Sequence, residues 1–365
     1  MRFSGFDDEW KTYKLKDLLH NKSSSISINQ LDDNVGNYPL YGASGFLKCI
    51  DFYEMDSDYI SIVKDGSGVG NISFHEKNTS VVNTSQYILP KENLNIHFIF
   101  YLLQTINLNK YKTGSTIPHI YFKDYSIEKV KIPKYDEQKK IGILLKNLDA
   151  KIEILDNKLQ MCQNFKKYLM QQIFTQKLIF DFDEIRLKSI SKINKGKQLN
   201  KEHMLEIGKF YVLNGGQEPS GYTDSWNTSE NTITISEGGN SCGFVNFNIE
   251  KFWSGGHCYY LNKLSENIDV YYLYSYLKFI EPQIMRLRVG SGLPNIQKGD
   301  IENIKIKILP KKEQIKISNL LLSTDNKISS IESQKDSFEI FKKGLLQQMF
   351  VVQLILSLLQ NKKHI

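Results

Sequence analysis

The feature that most constrains this chain is that it repeats itself once. Phe165-Lys-Lys-Tyr-Leu-Met-Gln-Gln-Ile-Phe174 returns 176 residues later as Phe341-Lys-Lys-Gly-Leu-Leu-Gln-Gln-Met-Phe350, with seven of ten positions identical. At the same shift Glu137-Gln138 returns as Glu313-Gln314. Gly114-Ser115, followed by Pro118, Ile120 and Asp124, returns as Gly290-Ser291, followed by Pro294, Ile296 and Asp300. Further upstream the shift is about 172: Leu15-Lys16 matches Leu187-Lys188, Tyr59–Gly66 matches Asn231–Gly238, and the apolar run Ile96–Leu108 matches Ile268–Ile280. A repeat this long means one structural unit built twice. The chain therefore divides into a globular part (1–133), a helical part with a linker (134–180), a second globular part (181–310) and a second helical part with a tail (311–365). The second globular copy carries four extra residues between Ile280 and Gly290, beside Arg286 and Arg288.

The helical copies have a 3.5-residue period. Ile141, Leu145, Leu148, Ile152, Leu155, Leu159, Cys162, Leu169 and Ile173 alternate spacings of four and three, with one step missed at Lys166. In the second copy Ile317, Leu321, Ile328, Ile331, Phe338, Leu345 and Met349 keep the register, interrupted at Thr324, Lys335 and Lys342. That period is the signature of a coiled coil. Each helix begins soon after a proline (Pro133, Pro310) with an acidic residue in its first turn, which suits the positive end of the helix dipole. The expected seam sets Leu145, Leu148, Ile152 and Leu155 of one helix with Ile317, Leu321, Ile328 and Ile331 of the other, in an antiparallel pair related by a pseudo-two-fold axis. Simple core helices of one larger domain are the competing reading.

The globular copies read as α/β. Tyr59–Val63 and Thr232–Ile235 alternate like strands, and Val69–Phe74 and Phe244–Phe247 follow glycine-rich turns. Ile96–Leu108 and Ile268–Ile280 have the pattern of buried helices, with Asn95 and Asn267 as candidate caps. The fold class is thus α/β: two similar domains joined by two long helices that form an antiparallel coiled coil.

Composition excludes more than it assigns. Apolar residues make up 41% and charged residues 24%, enough to build a core. A net charge of +7 permits a nucleic-acid partner without requiring one. Only Arg2, Arg186, Arg286 and Arg288 are arginine, and the other 43 basic residues are lysine. Because arginine is the commonest bidentate reader of guanine, each of the four is individually notable if DNA is the partner. Cys49, Cys162, Cys242 and Cys258 include no Cys-x-x-Cys pair, so neither a zinc site nor a disulfide framework is indicated. No signal peptide or apolar span is recognisable, and a reducing cytoplasm is expected.

No catalytic constellation emerges. Gly66-Ser-Gly-Val-Gly70 lacks the Gly-Lys-Ser/Thr ending of a phosphate-binding loop and reads better as a tight turn. The prolines never adjoin one another and none follows Asn or Asp, so an adenine-methyltransferase Asn-Pro-Pro-Tyr-like motif is absent. Glu137-Gln-Lys139 has the spacing of a nuclease Glu-x-Lys, but its copy is Glu313-Gln-Ile315 and it starts a helix, so a helix-end role is preferred.

The ordered combination of two variable globular units, two long helices, the turns Asp65-Gly-Ser-Gly-Val-Gly70 and Glu237-Gly-Gly-Asn-Ser-Cys-Gly243, the Gly-Ser…Pro segments and the Phe-Lys-Lys…Gln-Gln…Phe helix endings resembles the specificity subunits of type I restriction–modification systems. The resemblance covers roughly residues 10 to 350. It implies a non-catalytic subunit whose two recognition domains each read one half of a split double-stranded DNA target, with the helices setting the spacing. It further implies two modification subunits that methylate adenine with S-adenosylmethionine, and two restriction subunits that use ATP and Mg. No metal or cofactor is expected in this chain. Two other readings stay open: the recognition portion of a self-contained restriction–methylation enzyme, and a coiled-coil scaffold with no DNA role.

If DNA is the partner, base readers are expected where the two domains differ. In the first these are Lys64, Ser67, Asn71, His75, Lys77, Thr116 and His119. In the second they are Ser236, Asn240, Ser241, Asn246, Trp253, His257, Arg286 and Asn295. Lys112-Thr-Gly-Ser115 and Arg288-Val-Gly-Ser291 combine a cation, backbone N–H groups and a hydroxyl, which suits a phosphate contact. A turn into the next strand is the plainer account of the same residues.

Overall fold

The computed structural model describes residues 2–31, 34–175, 182–290, 292 and 294–351, and the side chain of Val351 is not described. The linker 176–181, Ser291 and the tail from 352 lie outside the described residues. The described residues form two compact units, one of residues up to 156 with those from 333 to 351, the other of 157–332. Each unit is a globular head with part of both long helices, Tyr135–Phe174 and Lys311–Leu346.

The heads are built alike. In the first, a four-stranded antiparallel sheet has the order Leu19–Ser23, Ser85–Pro90, Tyr59–Val63, Ile72–His75. In the second the order is Lys192–Lys195, Cys258–Asn262, Thr232–Ser236, Val245–Asn248. A three-stranded sheet joins Gly45–Ile50, Tyr38–Gly42 and Ser80–Val81 in the first head and Gly221–Thr223, Phe210–Leu213 and Trp253–Ser254 in the second. In each, one antiparallel pairing and one parallel pairing recur. A two-stranded ribbon closes each head: Lys11–Lys14 with Lys129–Ile132, and Asp183–Arg186 with Lys305–Ile308. Strands Tyr59–Val63 and Thr232–Ser236 are buried along their whole length. They are central strands covered on both faces, so the alternation read from their sequence does not become alternating exposure.

The helix of each head fixes the true register of the repeat. Ile96–Gln104 is capped by Asn95, whose side chain accepts from the Phe98 amide. Val270–Phe279 is capped by Asp269, which accepts from Tyr271 and Tyr272, and not by Asn267. The backbone N–H of Asn95 donates to Gln138 Oε1 at 3.0 Å and that of Asp269 to Gln314 Oε1 at 2.9 Å. The repeated Glu-Gln pair is thereby explained: its glutamine is buried and locks the start of a long helix to the head's own helix. Its glutamate differs between copies. Glu137 takes a two-pronged contact from Arg2 at 3.0 and 2.7 Å, whereas Glu313 pairs locally with Lys316.

Within the first unit the helix segments run antiparallel. Asp149 pairs with Lys342 at 2.5 Å and Asp156 with Lys335 at 2.6 Å, so seven steps forward on one helix are seven steps back on the other. In the second unit Lys166 pairs with Asp325 at 2.5 Å. The lysines that interrupt the heptad pattern are therefore ion-pair positions. The first core contains Leu145 and Leu148 together with Leu345, Met349 and Phe350, and also Trp10 and Phe98. The second contains Ile317 and Leu321 together with Met170, Ile173 and Phe174, and also Tyr272 and Tyr276. The expected facing of Leu145 and Leu148 against Ile317 and Leu321 thus gives way to two separate clusters, as an antiparallel pair requires. Leu155 and Ile331 are buried and Ile152 and Ile328 half-buried.

Candidate nucleic-acid interface

In the first head the strand Tyr59–Val63 ends in the turn Lys64–Gly70, and a short hairpin, Lys112–Ile120, docks on it. Gly66 N donates to Pro118 O at 3.0 Å and Ile120 N to Lys64 O at 2.9 Å, while Thr113 and His119 exchange both backbone bonds. The turn closes through Gly70 N to Val63 O. Gly66, Gly70 and Gly114 all have positive φ, which L side chains rarely adopt.

The second head repeats these bonds one for one. Gly239 N donates to Pro294 O, Ile296 N to Glu237 O, Gly243 N to Ser236 O, and Val289 and Asn295 exchange both bonds. Gly239, Gly243 and Gly290 carry the positive φ values. The structural match is therefore Gly66 with Gly239, a shift of 173 and not the 172 that aligns Asp65 with Glu237. That one-residue difference matters in a strand, because it sends a side chain to the other face. Lys64 is the counterpart of Glu237, and Asp65 of Gly238.

On this shared scaffold the side chains diverge. Asp65 Oδ1 lies 2.7 Å from His119 Nδ1, and Lys64 Nζ lies 4.0 Å from Asp65 Oδ2. All three are partly exposed. In the second head Glu237 is buried. Its Oε1 accepts from Lys195 Nζ at 2.5 Å and from Tyr259 OH at 3.0 Å. His257 Nδ1 approaches Oε2 to 3.4 Å, and Oε2 accepts no hydrogen bond. The exposed Lys112 lies over Gly70, its Cε 3.7 Å from where a Cβ would stand. Its counterpart Arg288 is exposed and close enough to the turn to act on Cys242: burial pushes that thiol up, and the Arg288 charge opposes the shift. Both platforms thus carry an exposed cation beside positive-φ glycines and a docked hairpin, a set of groups that can meet phosphate and base edges together.

The structure gathers some of the sequence-derived candidates on these platforms and moves others away. Lys64, Ser67, Asn71, Lys112, Ser115, Thr116 and His119 belong to the first turn and hairpin. Ser236, Asn240, Ser241, Arg288 and Asn295 belong to the second, and His257 faces Glu237 there. Arg286 is exposed at the end of Glu281–Met285, a short helix that accommodates part of the extra segment. Ser291 lies outside the described residues.

His75 and Lys77 do not belong to the platform. His75 is a core residue, bonded to Ser61 Oγ at 2.8 Å and stacked on Tyr59 at 4.9 Å. Burial lowers its pKa to about 4. Lys77 is exposed at the far end of the strand from the turn. Asn246 is half-buried within its strand, its carbonyl bonded to the Phe247 amide. Trp253 is also committed internally, since its indole N–H donates to Lys197 O at 2.7 Å. Sequence reasoning missed Lys195, which stands outside the glycine turn and reaches it only through strand pairing.

A family model described as the type I restriction modification DNA specificity domain matches residues 7–162 and again 180–339. An inferred type I specificity subunit of Mycoplasma genitalium is 34% identical over 149 residues, 40% of this chain and 39% of that protein. An inferred type I restriction enzyme specificity subunit of Methanocaldococcus jannaschii is 23% identical over 400 aligned positions, covering 93% and 92% of the two chains. Among solved structures, the S subunit of a type I restriction-modification system from M. genitalium superposes with a TM-score of 0.80 at 20% identity, over 95% of this chain and 97% of that one. A chain from a structure concerned with assembly of the type I R-M system gives 0.51 at 14% identity, over 95% and 98%. These two likenesses are of fold.

Proposed function

The chain belongs to the type I restriction modification DNA specificity family, and from that premise we propose that it is a sequence-reading subunit whose two heads each recognise one half of a bipartite duplex target. The observation that carries this reading is the platform built twice with the same backbone bonds and different side chains. Phosphate contacts need a constant scaffold, and base contacts need variable side chains on it. The long helices would set the spacing between the half-sites. Their outward faces would dock two adenine-methylating modification subunits, which would hold the S-adenosylmethionine. Two restriction subunits using ATP and Mg would complete the assembly. Among the described residues no helix is long and apolar enough to cross a membrane, and we place the work in the cytoplasm, where the DNA is.

An exchange of heads tests this reading. Residues 1–130 are replaced by the matching part of a relative, and the host methylome is sequenced with each version. One half of the methylated motif should change and the other should persist. A change in both halves, or in neither, would refute the two-reader arrangement.

A further inference from the structure

We propose that Lys195, Glu237 and His257 form the base-discriminating cluster of the second head and that they select a guanine, an assignment that rests on the DNA-reading role given above. The argument starts from a carboxylate in an unusual place. The Glu237 side chain is 6% exposed, yet Lys195 and His257, which surround it, are 50% and 64% exposed. A buried ion pair adds little to stability once desolvation is counted. A buried carboxylate that holds an exposed lysine and faces an exposed histidine instead preorganises the pair.

The lysine rises from rigid backbone. Gly196 N donates to Cys258 O and Lys197 N to Ser254 O, both at 2.9 Å. A Cβ on Gly196 would stand 2.2 Å from Gly255 O, so the segment is pressed flat against its neighbour. The histidine turns Nδ1 toward the carboxylate, which leaves Nε2 on the outer side of the ring. The glutamate takes Lys195 and Tyr259 on one oxygen and leaves the other unpartnered beside His257, so a small swing of the ring completes the bond. Lys195 keeps N–H donors that the carboxylate does not use, and the imidazolium form of His257 adds an Nε2–H donor beside them. In the major groove the matching pair of acceptors is guanine O6 and N7.

The first head supports a tuned site over an accident of packing. The same three kinds of group recur there as Lys64, Asp65 and His119, although none occupies the position of its functional counterpart. There the carboxylate is 34% exposed and the lysine stands 4.0 Å from it, so the trio recurs in residue type and not in arrangement.

The test is selection of the full-length chain against a pool of random duplexes, read by sequencing. The wild type should enrich a bipartite motif with a guanine in one half. Lys195→Met and His257→Gln should each lower the preference for that guanine about tenfold or more, with the other half unchanged. Lys195→Arg should keep it. Glu237→Gln, checked for folding by its thermal melting, should match Lys195→Met. An unchanged motif in Lys195→Met and His257→Gln would overturn the cluster alone. So would an equal loss on every sequence, which marks a phosphate contact. If the wild type enriched no motif, the DNA-reading role itself would fall, and the cluster with it.

Discussion

The two heads have the same backbone and different surfaces, and the contrast shows where each constraint lies. The backbone bonds of turn and hairpin and the sheet order agree between them, and each head helix is capped by its own Asn or Asp. The residues that enforce the agreement are glycines at positive φ and a buried glutamine at each helix start. The residues that disagree stand on the same scaffold: Lys64 against Glu237, Asp65 against Gly238, His119 against Asn295, Lys112 against Arg288. The disagreement also reaches the core. Ser61 and His75 form a polar pair inside the first sheet, and at the equivalent place in the second Thr234 Oγ1 accepts from Asn248 Nδ2 at 3.1 Å. A duplicated fold can therefore hold its geometry through a few backbone-determining positions and leave the remainder free to diverge.

The sharpest way to break the likeness is at the glycines. A Cβ on Gly243 would stand 2.9 Å from the Met285 Cα, while one on Gly70 meets nothing closer than 3.6 Å. Both have φ near +90°. Gly70→Ala should cost only the left-handed strain, about 1 kcal/mol. Gly243→Ala should cost about 4 kcal/mol, because overpacking against backbone is added. Urea denaturation followed to the first transition measures both, and equal losses would show that the short helix beside Gly243 yields freely.

Acid should separate the heads next. Burial holds His75 near 4, below the 6.5 of an unfolded histidine. Between those values the unfolded chain binds the extra proton, so stability falls as pH falls through this window and is fully present above it. The loss specific to the first head should approach about 3 kcal/mol by pH 4. Asn248 cannot titrate, so the second head has no such term. His75→Asn, which copies the second head, should flatten the profile between pH 6.5 and 4. An unflattened profile would place the acid sensitivity elsewhere.

The repeat, the α/β heads and the helical period were legible in the sequence because each rests on local pattern: the 3.5-residue spacing, Gly-Ser hairpins and apolar runs beside caps. The register was legible only to within a residue or two. Asp65 and Glu237 align by chemistry, yet the hydrogen bonds pair Glu237 with Lys64, since similarity of side chains says nothing about which face of a strand they take. The cap of the second helix moved from Asn267 to Asp269 for a like reason: both residue types cap well, and the choice falls to Gln314, 45 residues away. His75 read as a surface donor because its burial comes from Tyr41 and Tyr59 on other strands. Lys195 was invisible as a site residue because strand pairing, not sequence proximity, carries it to Glu237.

The smallest expected difference concerns the places where the heptads break. Asp149 accepts from Lys342 at 2.5 Å and from Tyr101 OH at 2.7 Å. Asp325 accepts from Lys166 at 2.5 Å and from Tyr271 OH. The two lysines are equivalent in the repeat, and so are the two aspartates, whereas the tyrosines come from different turns of the two head helices. Each site has thus been completed separately around an inherited ion pair. Asp149→Asn and Asp325→Asn should each cost about 1 kcal/mol, since pairs at this exposure are partly screened and the amide still accepts from the tyrosine. Exchanging the charges, Asp149→Lys with Lys342→Asp, should recover part of that loss. If the exchange recovered nothing, the tyrosine would be the partner that matters, and the lysines would interrupt the apolar stripe for a reason other than pairing.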